Sequence, residues 1–200
     1  MFLSKVELAP RWARNPYQWH RALWLLFPGR PNAERDFLFR VEGNVPGGGA
    51  VVLLQSVGAP VAAAEGVRVL ASKSFEPMFT PGLVLRFHLV ANPVKTIRDA
   101  QGRLDRHGAP KACRVPLIRE EQQQEWLQRK LMGAAQLEQV EVAPRQPLYF
   151  RREGTAGKIV PVAFDGVLVV RDPQQLRALL LGGLGPAKSF GCGLLSLARG

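Results

Sequence analysis

The chain has only two cysteines, Cys113 and Cys192, and three histidines in 200 residues. Two thiols that far apart supply neither a zinc ligand set nor a disulfide framework, and they suit a reducing compartment. No stretch approaches the roughly 18 consecutive apolar residues that a membrane span requires, and the opening MFLSKVELAPRWARNP holds no apolar signal core. A soluble protein of the cytoplasm with no membrane partner is therefore expected. Carboxylates are also few, 16 Asp and Glu against 27 Lys and Arg. They do not pair at ligand spacing: Glu120 and Glu121 are adjacent, and Asp99 and Asp105 fall in an aperiodic stretch. No metal site and no cofactor are expected.

What remains is a formal charge of +11 on a chain that is 46% hydrophobic and 22% charged. Such a chain can bury a core without staples, and its length suits one large domain or two small ones. The excess of positive charge is the footprint of a protein that meets polyphosphate, although some globular proteins are basic without such a partner. The charge is also concentrated. Between Arg86 and Arg119 lie eight basic residues (Arg86, Lys95, Arg98, Arg103, Arg106, Lys111, Arg114, Arg119) and two acidic ones. Arg145, Arg151, Arg152 and Lys158 form a second group. Binding of phosphates by these residues would release counterions and weaken steeply with salt.

Periodicity supplies the elements. Phe2 to Leu8 alternates as a half-buried strand, ended by Pro10. Asn15 reads as an N-cap and Pro16 as the first residue of a helix running to about Phe27. On that helix Trp19, Ala22, Leu23, Leu26 and Phe27 make the buried stripe, which leaves Tyr17, His20 and Trp24 on another face. Strands are expected at 37–41, 51–55, 67–72 and 83–91, giving a first ferredoxin-like domain over residues 1–91, although 60–64 is short for its second helix. Residues 92–116 lose periodicity and read as a basic connecting segment of loop or strand plus loop. A second domain over 117–200 starts with a helix from Pro116 to about Met132, supported by Glu125 and Arg129 one turn apart. It continues with strands at 146–152 and 158–170, a short helix capped by Asp172 and carrying Leu176, Leu179 and Leu180, and a strand at 194–198. The fold class expected is α+β, two tandem ferredoxin-like (RRM-like) domains with antiparallel sheets, and such a sheet is a common RNA platform.

Two features carry candidate chemistry. The segment from Gly182 to Gly193, with Lys188 and Ser189 inside it, is glycine-rich enough for backbone N–H groups to approach a phosphate, yet lacks the order of a P-loop. Its first glycines could equally do no more than cap the preceding helix. Among the histidines, His88 alternates onto a polar sheet face with Arg86 and His107 sits in the basic stretch. His20 alone has an aromatic hydroxyl, that of Tyr17, at i,i+3 spacing. A neutral imidazole can take a proton from a ribose 2′-hydroxyl or give one to a leaving 5′-oxygen, because its pKa lies near physiological pH. RNA brings its own nucleophile. Tyr17 could hold the ribose or phosphate, and a lysine such as Lys158 could offset the developing charge. A lone helical histidine is also often structural, and a non-cleaving RNA-binding subunit of a ribonucleoprotein is the alternative.

Several segments in order, Phe2 to Val6, Tyr17-Gln-Trp-His20 with Leu23-Trp24, Phe27-Pro28, Asp36 to Phe39, Val52 to Ser56, Leu89 to Ile97, Cys113 to Ile118 and Gly185-Pro-Ala-Lys-Ser189 with Gly191 to Leu197, are familiar together. Over essentially its whole length the chain resembles the CasE family, the CRISPR RNA-processing endoribonucleases of type I-E Cascade. The resemblance implies binding of the CRISPR repeat hairpin and metal-independent cleavage of precursor CRISPR RNA at its 3′ base, leaving a 2′,3′-cyclic phosphate and a 5′-hydroxyl. It also implies retention of the cut RNA as a Cascade subunit. His20 matches the family's catalytic histidine, Tyr17 the tyrosine that accompanies it in some members, and Lys158 a lysine that follows a glycine. Lys95, Lys111, Arg114, Arg145, Arg151, Arg152, Lys188 and Ser189 are the further RNA contacts expected.

Overall fold

The computed structural model describes residues 1–30, 33–98, 104, 108, 112–152 and 154–199, and for Arg98, Ala112 and Arg152 the backbone alone. In chain order the elements are β1 (Phe2–Leu8), α1 (Pro10–Ala13), α2 (Pro16–Trp24), β2 (Phe37–Val45), β3 (Gly49–Ser56), β4 (Ala63–Ala64), β5 (Val67–Ser74), β6 (Val84–Ala91), β7 (Val94–Arg98) and β8 (Ala112–Pro116). Then come α3 (Glu120–Leu131), β9 (Ala135–Pro144), β10 (Leu148–Arg152), β11 (Thr155–Ile159), β12 (Val162–Val170), α4 (Pro173–Gly182), a 3-10 turn at Lys188–Phe190 and β13 (Leu195–Arg199).

Two antiparallel sheets organise the chain, with orders β2-β3-β1-β5-β4 and β13-β6-β12-β9. In each, the first strand of the unit sits between its last and its third, which is the ferredoxin-like arrangement. The first unit lacks its second helix, because Gly58 and Pro60 interrupt the chain where β4 replaces it. The second unit is complete: β6, α3, β9, β12, α4, β13.

Val84–Ala91 was expected to close the first sheet, but β6 pairs with β12 and β13 instead. The reason is packing. Leu85, Phe87 and Leu89 point into the second core with Phe164, Leu168 and Leu195. Val170 N–H donates to Leu83 O at 2.9 Å, and Gly82 N–H donates to Val170 O at 2.9 Å. The second sheet thus begins before residue 91, and the chain crosses over through Phe75 and Phe79, which pack against the second core.

Other expectations also shift. The β9 strand had no counterpart in the sequence reading; its Gln and Glu residues alternate with Leu137, Val140 and Val142, which pack on the second core. The strand expected over 158–170 is broken at Val160 and Pro161 into β11 and β12. The connecting segment contains the β7–β8 hairpin. The α3 helix starts at Glu120 rather than at Pro116, which ends β8; Gln123 donates back to Leu117 O at 2.8 Å, and two glutamates in the first turn complement the helix dipole.

Candidate active site and RNA interface

The α2 helix behaves as its sequence demands. Asn15 caps it, its side chain accepting from Tyr17 N–H at 3.1 Å, and Pro16 opens it. After Trp24 the turns tighten to three-residue hydrogen bonds, Leu25 to Ala22, Leu26 to Leu23 and Phe27 to Trp24, which carry the apolar stripe on to Phe27. Trp19, Ala22, Leu23, Leu26 and Phe27 are all buried, and the indole of Trp19 donates to Ala13 O at 3.1 Å. That anchorage sets the direction of the remaining face.

On it, the His20 ring lies 5.3 Å from the Phe37 ring and 6.1 Å, edge-on, from Trp24. Its Nε2 is buried and has no hydrogen-bond partner among the described residues. Burial, and then the positive charge of Arg35, hold the His20 pKa below the ordinary imidazole value. The neutral form of the ring is therefore favoured beyond that of a free imidazole, and its Nε2 keeps an unused hydrogen-bonding capacity.

Tyr17 meets two other elements. Its ring stacks on Phe150 of β10 at 6.3 Å and 15°, and lies 6.5 Å from Phe190 of the 3-10 turn. Phe150 and Phe190 are 4.5 Å apart. The three rings thus bring the β10–β11 hairpin and the Lys188–Phe190 turn onto the face of α2 that carries His20.

Beside this junction is an open cleft of about 420 Å³, lined by Asn92, Arg114, Lys158, Lys188, Ser189 and Phe190 among others. Four of the expected RNA contacts, Arg114, Lys158, Lys188 and Ser189, therefore share one wall-to-wall space. The Lys158 ammonium lies over the Tyr149 ring at 5.5 Å. Lys188 donates to Gly182 O at 2.5 Å, and its pKa is lowered by burial and by the charges of Arg35 and Lys130.

The other expected contacts are dispersed. Lys95 is exposed on β7 but alternates to the face opposite Arg114. Arg145 lines a second cleft with Arg40, Trp19 and Cys192. Cys192 is no candidate nucleophile, since burial pushes its thiol up to about 12. Arg151 is exposed on β10. Only the backbone of Arg152 is described, and Lys111, with Asp99, Arg103, Asp105, Arg106 and His107, lies outside the described residues.

Two sequence readings are modified. Packing requires glycine at several positions of the Gly182–Gly193 segment, whatever backbone contact it makes with RNA: at Gly193, with φ +92°, an added Cβ would meet Leu184 O at 2.8 Å. The open face of the second sheet carries acids as well as bases, His88 Nδ1 sitting 2.6 Å from Asp165 Oδ1 with Glu141 registered beyond it. It is a mixed face, and the cations gather elsewhere. The sequence reading passed over Arg35, Phe150 and Phe190. The aromatic residues at 150 and 190 each adjoin a basic or glycine-rich stretch, which was the available signal; Arg35 had none.

Comparison with known proteins agrees with this geometry. A family model described as CRISPR associated protein matches residues 1–199. The CRISPR system Cascade subunit CasE of Escherichia coli is 52% identical over 99% of both chains. The CRISPR-associated endoribonuclease Cse3 of Thermus thermophilus is 35% identical over 99% of this chain and 100% of its own. A solved structure of Cse3 bound to a 19-nucleotide RNA superposes with a TM-score of 0.80 at 34% identity, covering 100% of each chain. Matched from end to end by that family model and by relatives of its own length, the chain belongs to the CRISPR associated protein family.

Proposed function

We propose that this chain is a CRISPR endoribonuclease that binds the repeat hairpin of precursor CRISPR RNA, cuts it at the 3′ base of the hairpin, and stays on the product as a subunit of a Cascade complex in the cytoplasm. The observation that carries the reading is a half-buried His20, its pKa lowered, on the helix whose Tyr17 meets the basic hairpin and the Lys188 turn. The names of the relatives, a Cascade subunit and an endoribonuclease, support it.

The chemistry follows from the substrate. The ribose 2′-oxygen attacks the adjoining phosphorus while its proton passes to a base, the P–O5′ bond breaks, and the leaving oxygen takes a proton. The products are a 2′,3′-cyclic phosphate and a 5′-hydroxyl, and the step needs no metal. His20 is the candidate proton carrier, and Tyr17 holds the ribose or phosphate from the same helix face. Lys158, Arg114, Lys188 and Ser189 hold the backbone in the cleft, while Lys95, Lys111, Arg145, Arg151 and Arg152 extend the interface.

His20→Ala should bind repeat RNA as the parent does and cleave it about a thousand-fold more slowly, the range general acid–base catalysis supplies. Gel resolution of repeat RNA in EDTA measures this, together with the end chemistry of the product. Cleavage at the parental rate, or scission of RNA carrying 2′-deoxyribose at the cut, would overturn the mechanism. Binding without cleavage by the unaltered chain would favour the non-cleaving subunit.

A further inference from the structure

Three basic groups lie on α2 or on segments that border it. His20 lies on the helix itself, Lys188 on the 3-10 turn that touches the helix through Phe190, and Arg35 just before β2. The backbone after Arg35 is pinned. Val57 N–H donates to Asp36 O at 3.2 Å, and the buried Phe37 packs its ring 5.3 Å from the imidazole. The Arg35 backbone is thereby fixed two residues before the ring that packs on His20, and its charge acts on both His20 and Lys188.

Its surroundings are unusual for an arginine. The side chain is half-buried, and burial alone lowers its pKa. No carboxylate among the described residues pairs with it, and the nearest acid in sequence on its C-terminal side, Asp36, is bound by Arg30 at 2.9 Å. Partly burying two cations near one another without an anion costs folding energy. Such an arrangement fits a site whose counter-charge arrives with the ligand, and an RNA backbone delivers one phosphate per nucleotide.

We propose that Arg35 and Lys188 form the seat of the scissile phosphate, the Arg35 guanidinium donating to its non-bridging oxygens beside His20. This rests on the reading of the chain as an RNA-cleaving enzyme. During attack the O2′–P bond forms as the P–O5′ bond weakens, and negative charge accumulates on the non-bridging oxygens. A planar guanidinium can hold two of them at once, whereas an ammonium holds one as a point charge. Lys188, tethered to Gly182 O, keeps two donors for the same phosphate. Arg35 therefore has two effects: it stabilises the phosphorane and keeps His20 neutral until the phosphate offsets its charge.

The test uses the full chain and repeat RNA in single-turnover cleavage. Arg35→Ala should slow cleavage on the order of a hundred-fold, as loss of one donor to a developing oxyanion does, with hairpin affinity changed by no more than about three-fold because most phosphate contacts remain. Arg35→Lys, which keeps the charge, should fold and cleave at an intermediate rate. Sulfur at a non-bridging oxygen of the cut phosphate should slow the parent, and the same sulfur should matter little to Arg35→Ala. Parental rates for both variants, or a parent indifferent to sulfur at both positions, would overturn the assignment. His20→Ala is run alongside: if it also cleaves normally, the enzyme reading itself fails. If it is inactive while Arg35→Ala is normal, only the role of Arg35 is lost. Should Arg35→Ala not fold, the sulfur effect on the parent and the Arg35→Lys rate decide.

Discussion

His20 shows how one residue's chemistry depends on what surrounds it. Desolvation penalises the imidazolium, and the Arg35 charge penalises it further, so the folded pKa falls below 6.5. A base must be neutral, and a lowered pKa keeps it neutral to more acid pH. With His20 as the base, the second-order rate of cleavage, measured with trace RNA so that it reports the free enzyme, should decline toward acid pH with its inflection below the ordinary imidazole value. In Arg35→Ala the acid limb should move to higher pH, because a charge opposing protonation has gone. An inflection in the parent at or above the ordinary imidazole value would refute the account. His20 and Tyr17 could be picked out as candidates from helical spacing, and the family resemblance supplied their expected roles. Arg35 could not, because a charged residue between Glu34 and Asp36 looks like ordinary loop until its lack of a carboxylate partner is seen.

At the scale of elements, the β10–β11 hairpin matters for where it holds Phe150. Phe150 registers across from Gly157, and its ring occupies the space above that glycine. A methyl group there would collide with the ring and push it off Tyr17. Gly157→Ala should therefore lower single-turnover cleavage about ten-fold or more, since sub-ångström to ångström misplacement of site groups carries such penalties. The melting temperature should change little, because the hairpin is a separate two-stranded sheet outside both main sheets. Unchanged cleavage by a folded Gly157→Ala protein would show that the Phe150 stack does not position the site. The same crowding explains why a glycine precedes Lys158. The first strand of this hairpin is marked in the sequence, but Gly157 reads there as part of a turn, and only the register of the folded hairpin pairs it with Phe150.

In the whole molecule, the two units are tied by a few buried polar contacts. Gln55 of β3 donates to Leu180 O of α4 at 2.7 Å, and both residues are buried. Arg40 of β2, 6% exposed, donates to Ser196 Oγ of β13 at 2.9 Å while pairing with Glu42. The first contact fixes α4, and through it the segment leading to Lys188, against the unit that carries His20, and the second fixes β13 against the same unit. Gln55→Ala leaves the Leu180 carbonyl buried without that donor and should cost about 1–3 kcal/mol, read from the urea midpoint at constant slope. A shift within the scatter of surface substitutions would mean that water replaces the lost donor. No helix among the described residues is long and apolar enough to cross a membrane.

The sequence by itself determined what is local. Asn15 and Pro16 start α2, its three- and four-residue apolar spacing sets His20 and Tyr17 on a face apart from the buried stripe, Asp172 caps α4, and the charge excess points to a polyanionic partner. These depend on neighbours a few residues apart, where backbone geometry leaves little choice. Tertiary structure alone decided that Val84–Ala91 joins the second sheet, that Arg114, Lys158 and Lys188 face one cleft while Lys95 does not, and that the charge of Arg35 acts on both His20 and Lys188. A strand's partner is settled by which apolar face it completes, and a charge acquires a role only from the groups that distant parts of the chain bring beside it.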